Sequence, residues 1–467
     1  MRKHAIENEH PEFVAKRQMW RRYSDLYTGG EQIRKRANEY LIQRNKEPAE
    51  VYYERLNSVF YENYVGSIID WFAATLLRRE PVVQFTGDDV TGKRFFDQFI
   101  QDCDRKGTTL SDYFRQQITD MLIYGKSYTV VDFPRAAGLA TNRGEEDAVG
   151  LSRAYLTPYL PDQVTNWGKT AQGEFEWVVL KSESIHQPTP GSEPVHETLW
   201  TYYDRENYEV YRRQGTGDSS GDIVLTDAGP HGLALRRRVP IFELKTSDGL
   251  WLMNKAALLQ VEHFNKSNAL AWALTMGLFA TPVVYSNKPW NQIVGESYYI
   301  QLGQDDRFGW TEPEGRVYSL AAENLDRLKD EIYRVCYLLS QAGKGESSGL
   351  PQSGLSKQMD FSITQEILRA YGDMVKNCAR QVLQAIILAR KDELLVDISG
   401  LDEFDIGDFG TELENAKNLL ALGINSPTLK QQMFKKLAFK YLSDSRQDLK
   451  NTIAVEVDAS LQGMSQP

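Results

Sequence analysis

Cysteine is scarce: Cys103, Cys336 and Cys378 are the only three in 467 residues, and they lie far apart with no CxxC pair. An odd, scattered set excludes a disulfide framework and points to a reducing compartment. Long apolar runs are missing too, with no eighteen consecutive apolar residues, so no membrane span is expected. The N-terminus, Met1-Arg2-Lys3-His4-Ala5-Ile6-Glu7, has no apolar core and does not read as a signal peptide. The six histidines, His4, His10, His186, His196, His231 and His263, form no HxxxH or HxH set, so they predict no zinc site. There is no GxSxG and no Cys/His pair at catalytic spacing. Positive charge is also in deficit. A net charge of −10 excludes a general nucleic-acid binder, and any DNA contact must be local or weak.

What is present is ordinary in bulk, with 41% apolar and 25% charged residues, enough for a sizeable core split over two to four domains or subdomains. The nearest match to a phosphate-binding loop is Gly87-Asp88-Asp89-Val90-Thr91-Gly92-Lys93-Arg94, between a strand-like piece and a helix. Arg94 stands where Ser or Thr should bind magnesium, and Asp88 and Asp89 place negative charge inside the cradle. The plainer reading is a solvated turn with a helix cap. Gly125-Lys126-Ser127 lacks the upstream glycine and reads as a turn into a strand. The acidic run Asp397, Asp402, Glu403, Asp405 and Asp408 could hold a divalent cation, or be a solvated edge or subunit contact. Arg236-Arg237-Arg238 could meet phosphate, or be a solvated strand end or an inter-subunit salt-bridge donor. No cofactor and no metal site are expected.

The first third reads as helical, with helices over 13–27, 51–78, 93–102 and 111–124. Pro81 forces an extended piece at 81–85, and 127–133 alternates like a strand. The middle third reads as strands at 153–159, 175–182, 197–203, 207–212 and 233–244, separated by turn-rich stretches at 187–192 and 215–221. Residues 135–150 read as a solvated loop. A long helix over 250–276 follows, about 40 Å at 1.5 Å per residue. Strand-like pieces at 280–285, 298–302 and 316–318 then interrupt the helical pattern. There is no internal repeat.

Residues 320–395 carry the most telling pattern. Leu325, Leu328, Ile332, Val335 and Leu339 step by three and four along a helix over 320–341, with charges on its other faces. A glycine- and serine-rich break follows, Gly343-Lys344-Gly345-Glu346-Ser347-Ser348-Gly349-Leu350-Pro351-Gln352-Ser353-Gly354. A second, longer helix spans 356–395. A mobile, lysine-bearing loop between two long helices suits a contact with something that moves. After an acidic extended stretch at 396–409, two short helices at 412–422 and 426–442 close the pattern.

The order and spacing of several segments resemble the portal protein, or head-to-tail connector, of tailed bacteriophages. They are Trp20-Arg21-Arg22-Tyr23-Ser24-Asp25-Leu26-Tyr27-Thr28-Gly29-Gly30 and Tyr61-Glu62-Asn63-Tyr64-Val65 followed by Ile68-Ile69-Asp70. Val239-Pro240-Ile241-Phe242-Glu243-Leu244 resembles the strand leading to the first stem helix. Ser353-Gly354-Leu355-Ser356-Lys357-Gln358-Met359-Asp360 resembles the start of the helix behind the tunnel loop. Ile406-Gly407-Asp408-Phe409-Gly410 and Leu422-Gly423-Ile424-Asn425-Ser426-Pro427-Thr428 resemble the start of the crown. The resemblance covers roughly residues 12–445, and none of these segments is a catalytic signature.

The resemblance implies an α+β, mainly helical subunit that is not an enzyme. Residues 1–246 and 356–410 would form the wing, 247–276 and 319–342 the stem helices, 277–318 an α/β clip, 343–355 the tunnel loop and 411–467 a small crown. It also implies a ring, usually of twelve subunits, at one capsid vertex of the virion, assembled in the host cytoplasm without membrane contact. Double-stranded DNA passes through the ring. Its protein partners would be the large terminase subunit, head-completion adaptor and tail proteins, and the major capsid and scaffolding proteins. Expected DNA-facing residues are Gly343, Lys344, Gly345, Glu346, Ser347 and Ser348 of the tunnel loop, with Lys255 and Lys266 on the first stem helix as further bore-facing candidates. Trp290, Tyr298, Tyr299, Phe308 and Trp310 are the expected partner surface of the clip, or else its own small core. Another virion structural protein, an adaptor or minor capsid protein, and a nucleotide-dependent enzyme using 87–94 are the alternative readings.

Overall fold

The computed structural model describes residues 5–134, 150, 152–187, 189–216, 219–278, 281–286, 307–311, 315–338, 354–402, 404, 409–422 and 426–442, with 449, 452–453, 456–457 and 459 beyond them. The chain divides into two compact units. The first comprises Met1–Ser24, Ile69–Asn254 and Gly354–Pro467, and the second Asp25–Ile68 and Lys255–Ser353. Among the described residues helix and strand are mixed with helix dominant, and the described strand pairs are all antiparallel.

The N-terminal helices are α1 (Pro11–Thr28), α2 (Gly30–Lys35), α3 (Ala37–Tyr40), α4 (Ala49–Asn57) and α5 (Tyr64–Leu76). The apolar period over 51–78 predicts one helix, but the chain leaves the helical path at 58–63. Ser58 Oγ donates to the Arg55 carbonyl at 3.1 Å, and Asn63 Oδ1 accepts from the Gly66 N–H at 2.8 Å. The short polar side chains that suit caps therefore end α4 and start α5, while the apolar spacing runs on past them.

In the first unit, β1 (Val82–Thr86) is followed by α6 (Val90–Gln101) and α7 (Leu110–Tyr124). Next come β2 (Lys126–Asp132), β3 (Tyr155–Tyr159), β4 (Val164–Lys169), β5 (Phe175–His186), β6 (Val195–Asp204), β7 (Asn207–Thr216), β8 (Ser219–Ser220), β9 (Val224–Pro230) and β10 (Ile241–Lys245). Strand β2 is the middle of a three-stranded sheet, β10-β2-β3, and α7 packs on it. Every residue of β2 except the last is buried, so both faces are covered and the apolar alternation that marks a half-exposed strand is blurred. A separate sheet runs β4-β5-β6-β7-β8, with β9 also on β7. The expected strand 233–244 shortens to β10, because 234–236 form a 3₁₀ turn closed by Arg237 at a left-handed φ of 52°. Strands β4 and β9 fall where no strand is expected, and β8 lies within the expected turn-rich stretch 215–221.

Two elements tie distant parts of this unit together. Helix α10 (Gly354–Arg390) buries Leu368, Tyr371, Val375, Cys378, Val382 and Ile386 along one stripe. Strand β13 (Leu395–Ser399) pairs antiparallel with β1, Val82 opposite Ser399 and Thr86 opposite Leu395. Gly372 is where the helix meets the segment beyond β13, since a Cβ there would clash with the Leu401 carbonyl. Gly125 ends α7 at φ 81°, and a Cβ there would lie 2.9 Å from the Trp251 ring, whose Nε1 donates to the Ile123 carbonyl at 2.9 Å. Lys126, next in sequence, is buried. Its ammonium lies 5.4 Å from the Trp20 ring, 5.7 Å from Tyr128 and 5.1 Å from Trp167, with Glu12 at 3.6 Å. Helices α11 (Phe409–Ala421) and α12 (Pro427–Tyr441) lie further on, with Ser426 capping α12 through the Leu429 N–H at 3.3 Å.

The second unit adds α8 (Leu252–Leu278, beginning three residues before it), the ribbon β11 (Thr281–Tyr285) with β12 (Arg307–Thr311), and α9 (Gly315–Val335). The strand expected at 316–318 is instead the first turn of α9. Three residues cannot define a strand period, and Tyr318 already belongs to the helical face that continues to Leu325 and Leu328. Helix α9 ends at Val335, where Tyr337 takes a left-handed φ of 64°.

Asp120, on α7, shows how burial loads the first unit. Gln116 Nε2 donates to its carboxylate at 3.0 Å, and burial pushes its pKa up to about 7, with Asp162 adding like charge. Below about pH 4 the folded and unfolded chains both hold this proton. Between about pH 4 and about pH 7 only the folded chain keeps the proton, so Asp120 progressively costs stability as pH rises, and the cost levels off above about 7. An Asp120→Asn variant should gain on the parent by about 1.4 kcal/mol per pH unit within that window. Denaturant midpoints at pH 5 and pH 8 measure this, and an equal difference at both would refute it.

Candidate functional site

Helices α8 and α9 form an antiparallel hairpin whose register holds along its length. The Lys255 ammonium donates to the Tyr337 hydroxyl and lies 4.3 Å from that ring's centroid. Lys266 Nζ donates to Asn324 Oδ1 at 2.9 Å, and Tyr318 Oη donates to the Ala273 carbonyl at 3.2 Å. Residue numbers rise on one helix as they fall on the other by nearly equal steps. The ribbon keeps the same pairing, with Thr281 opposite Thr311 and Tyr285 opposite Arg307. One hairpin therefore changes from helix to strand without a slip in register. At 1.5 Å per residue α8 is about 40 Å long.

Three carboxamides on α8 hold this hairpin to the rest of its unit. Gln260 accepts from the Val65 N–H at 3.3 Å and donates to the Glu62 carbonyl at 2.8 Å. Asn265 accepts from the Ile42 N–H at 2.9 Å and donates to the Tyr40 carbonyl at 2.9 Å. Asn268 accepts from the Phe60 N–H at 3.1 Å and donates to the Phe60 carbonyl at 3.0 Å. Each amide serves one backbone donor and one acceptor, at the helix ends Tyr40 and Val65 or in the irregular stretches beside them. Gln260 and Asn268 are buried, so these bonds are made away from water. His263, between them, is buried edge-on to Tyr64 at 5.0 Å, and burial lowers its pKa. The expected apolar stripe of α8 does not contain this seam. Its signal was polar amides at positions where the apolar stripe should continue.

Lys255 and Lys266 thus both sit on α8 and both reach across to the 315–338 stretch, with Glu262 a further partner of Lys266 at 3.0 Å. Gly343, Lys344, Gly345, Glu346, Ser347 and Ser348 lie outside the described residues, as do Trp290, Tyr298 and Tyr299. Phe308 and Trp310 fall on β12. The apolar surface of the hairpin is not used up within the subunit. Leu258 is 73% exposed, Leu274 44%, Val317 61% and Leu320 56%.

The other candidate motifs have local partners. Asp89 caps α6 by accepting from the Gly92 N–H at 2.8 Å, occupying a donor that a phosphate cradle needs. A Cβ on Gly92 would lie 2.9 Å from Leu394 Cδ1, so this glycine permits close packing of the turn. In the Arg236-Arg237-Arg238 run, Arg237 pairs with Glu206 at 3.1 Å and Arg238 lies 4.7 Å from the Phe242 ring. Of the acidic run, Asp397 lies in β13 opposite Gln84, and the Asp402 carbonyl accepts from Arg369 at 2.9 Å. Glu403, Asp405 and Asp408 lie outside the described residues. Among the described residues no cluster of His, Cys, Asp and Glu could hold a metal ion, and no helix is long and apolar enough to cross a membrane.

No protein-family model matches the chain, and no curated protein matches it. Solved structures do. A chain from the neck of an empty gene transfer agent particle, computed with C6 symmetry, aligns at 12% identity and a TM-score of 0.43, covering 79% of this chain and 90% of that one. A chain from the virion of a native gene transfer agent particle aligns at 12% identity and 0.41, covering 85% and 96%. A chain from the neck of the native particle, computed with C12 symmetry, aligns at 13% identity and 0.41, covering 84% and 94%.

The amide seam makes a direct prediction. Asn268→Leu keeps the volume but leaves the Phe60 N–H and carbonyl without partners. It should lower stability by about 1–3 kcal/mol and speed proteolysis within 58–63. An unchanged denaturant midpoint and cleavage rate would contradict the proposed role.

Proposed function

We propose that this chain is a portal-type subunit: a ring-forming virion protein whose hairpins line a channel for double-stranded DNA during genome packaging, retention and ejection. The observation that carries the reading is the hairpin. Two long helices in constant register end in a β ribbon, and the outward residues Leu258, Leu274, Val317 and Leu320 lack a cover within the subunit. Neighbouring copies around a ring would bury them, at roughly 25 cal/mol per Å² of apolar surface removed from water. The sequence resemblance to phage portal proteins supports the same assignment.

On this reading 1–246 with 356–410 is the wing, 247–276 and 319–342 the stem, 277–318 the clip, 343–355 the tunnel loop and 411–467 the crown. The work is mechanical rather than catalytic. A bore that gripped phosphates would stall the strand, since each neutralised phosphate adds affinity. A chain with a net charge of −10 repels DNA as a whole, and its bore cations act locally. Lys344 is the foremost candidate contact, in a loop whose only other charge is Glu346. Lys255 and Lys266 are secondary candidates, because each ammonium is already engaged. Trp290, Tyr298, Tyr299, Phe308 and Trp310 supply the docking surface for terminase and then the head-completion adaptor. The remaining partners on this reading are tail, major capsid and scaffolding proteins.

Two measurements test this. Purified protein should form a particle with a central hole. Twelve copies of a 53.4 kDa chain make about 640 kDa. Leu258→Glu combined with Leu320→Glu, both exposed in one subunit, should return it to single chains of unchanged helix content. A parent protein that stays monomeric at every concentration would overturn the ring and favour a minor capsid or adaptor role.

In particles loaded with DNA, a photoreactive residue at 344 should crosslink to DNA, and one at 298 to terminase or adaptor. DNA crosslinks from 255 and 266 with none from 344 would move the constriction from the loop to the stem. Crosslinks from 298 to DNA alone would remove the clip assignment.

A further inference from the structure

The first unit contains a cavity of about 430 Å³ that no part of the channel reading uses. It lies among the end of α5, α6, the N-terminal turn of α7, α10 and β13. Its floor is apolar, with Leu77, Ile100, Phe114, Val375 and Ile398 all buried. Cations line it from three separate elements: Arg78 beyond α5, Arg115 on α7 and Lys376 on α10. Glu80 is the one acid in the lining. Arg115 pairs with Asp112 at 2.5 Å and Lys376 with Asp373 at 2.9 Å, but neither carboxylate lines the cavity. The first turn of α7 contributes Thr109, Leu110 and Ser111, the positive end of a fifteen-residue helix. The Ser111 hydroxyl is buried and has no hydrogen-bond partner, a state that costs free energy unless something arrives to satisfy it.

We propose that this cavity is a docking site for an acidic peptide segment of a partner protein, with one bulky apolar side chain inserted as the anchor. A volume of this size holds an aromatic or branched side chain with part of its flanking backbone. Ser111 then meets a peptide carbonyl or a carboxylate. The cations come from three elements, so a single compact acid group cannot answer all of them, whereas several acids flanking one anchor can. The inference concerns a single subunit and does not depend on ring formation.

A fluorescein-labelled synthetic peptide with a phenylalanine flanked on each side by two acidic residues and carrying no cation serves as the probe. Titrated with the full chain and followed by anisotropy, it should bind saturably and weaken as salt rises. Replacing its acids by lysine should abolish binding. Lys376→Glu should weaken binding at least tenfold, Ser111→Ala about fivefold, and Asp112→Asn should tighten it by freeing Arg115. Ala379→Phe, which fills the cavity, should remove binding, with circular dichroism confirming the fold. The proposal is overturned if the peptide does not bind, or if its binding ignores Lys376→Glu and Ala379→Phe. It is overturned in favour of a small-molecule site if N-acetylphenylalanine competes as strongly as the peptide itself.

Discussion

The second unit depends on carboxamides rather than on apolar packing alone. Segments 40–42 and 58–65 join helix ends to irregular chain and carry backbone groups that would be orphaned against α8. Gln260, Asn265 and Asn268 each close one donor and one acceptor on these segments. Because both ends of each amide are used, the register between α8 and the segments is fixed more tightly than leucines could fix it. Phe264 and His263 lie in the same stretch, with Phe264 6.1 Å from the Tyr61 ring, and fill the space between the polar contacts.

That fixed side of α8 decides what its other sides can do. Lys255, Lys266 and the Ala273 carbonyl face the 315–338 stretch, and the apolar residues left over point elsewhere. Leu258 and Leu274 on α8 and Val317 and Leu320 on α9 stay exposed, so apolar side chains face water on both helices of the hairpin. The charged side chains on α9, such as the Arg334–Glu331 pair, occupy positions where the helix meets solvent.

The helical part of the fold was legible because its periods are long. The stripe Leu325, Leu328 and Ile332 on α9, and the uninterrupted pattern behind α10, placed both helices with ends off by up to about six residues. Boundaries set by single polar side chains were not legible. Ser58 and Asn63 divide one apparent helix into two, and nothing in the apolar spacing signals it. Strand β4, with Asn166 and Gly168 at its register shifts, carries too little alternation to read. Of the candidate site, the lysines were legible as cations, but their partners Tyr337 and Asn324 lie 58 or more residues away. The three amides of α8 show in sequence only as breaks in its apolar stripe, and the backbone groups they serve lie on segments far off in sequence.

If the hairpin lines a channel, as proposed, the engaged state of the two lysines bears on how its wall treats DNA. The Lys255 ammonium lies against the Tyr337 ring and hydroxyl, and Lys266 is shared between Glu262 and Asn324. A cation held by a neutral hydroxyl keeps its full charge, while one paired with a carboxylate presents a dipole whose field falls off faster. Along the hairpin the two positions therefore differ in kind, one a fixed positive charge and the other nearly neutral. A strand passing them would meet one attractive point rather than a continuous track. Since affinity rises with each phosphate neutralised, on the proposed reading Lys255 would add one fixed charge per subunit to that of Lys344, with little hold on the sliding of the polymer. The same wall with both lysines free would bind more tightly and release more slowly.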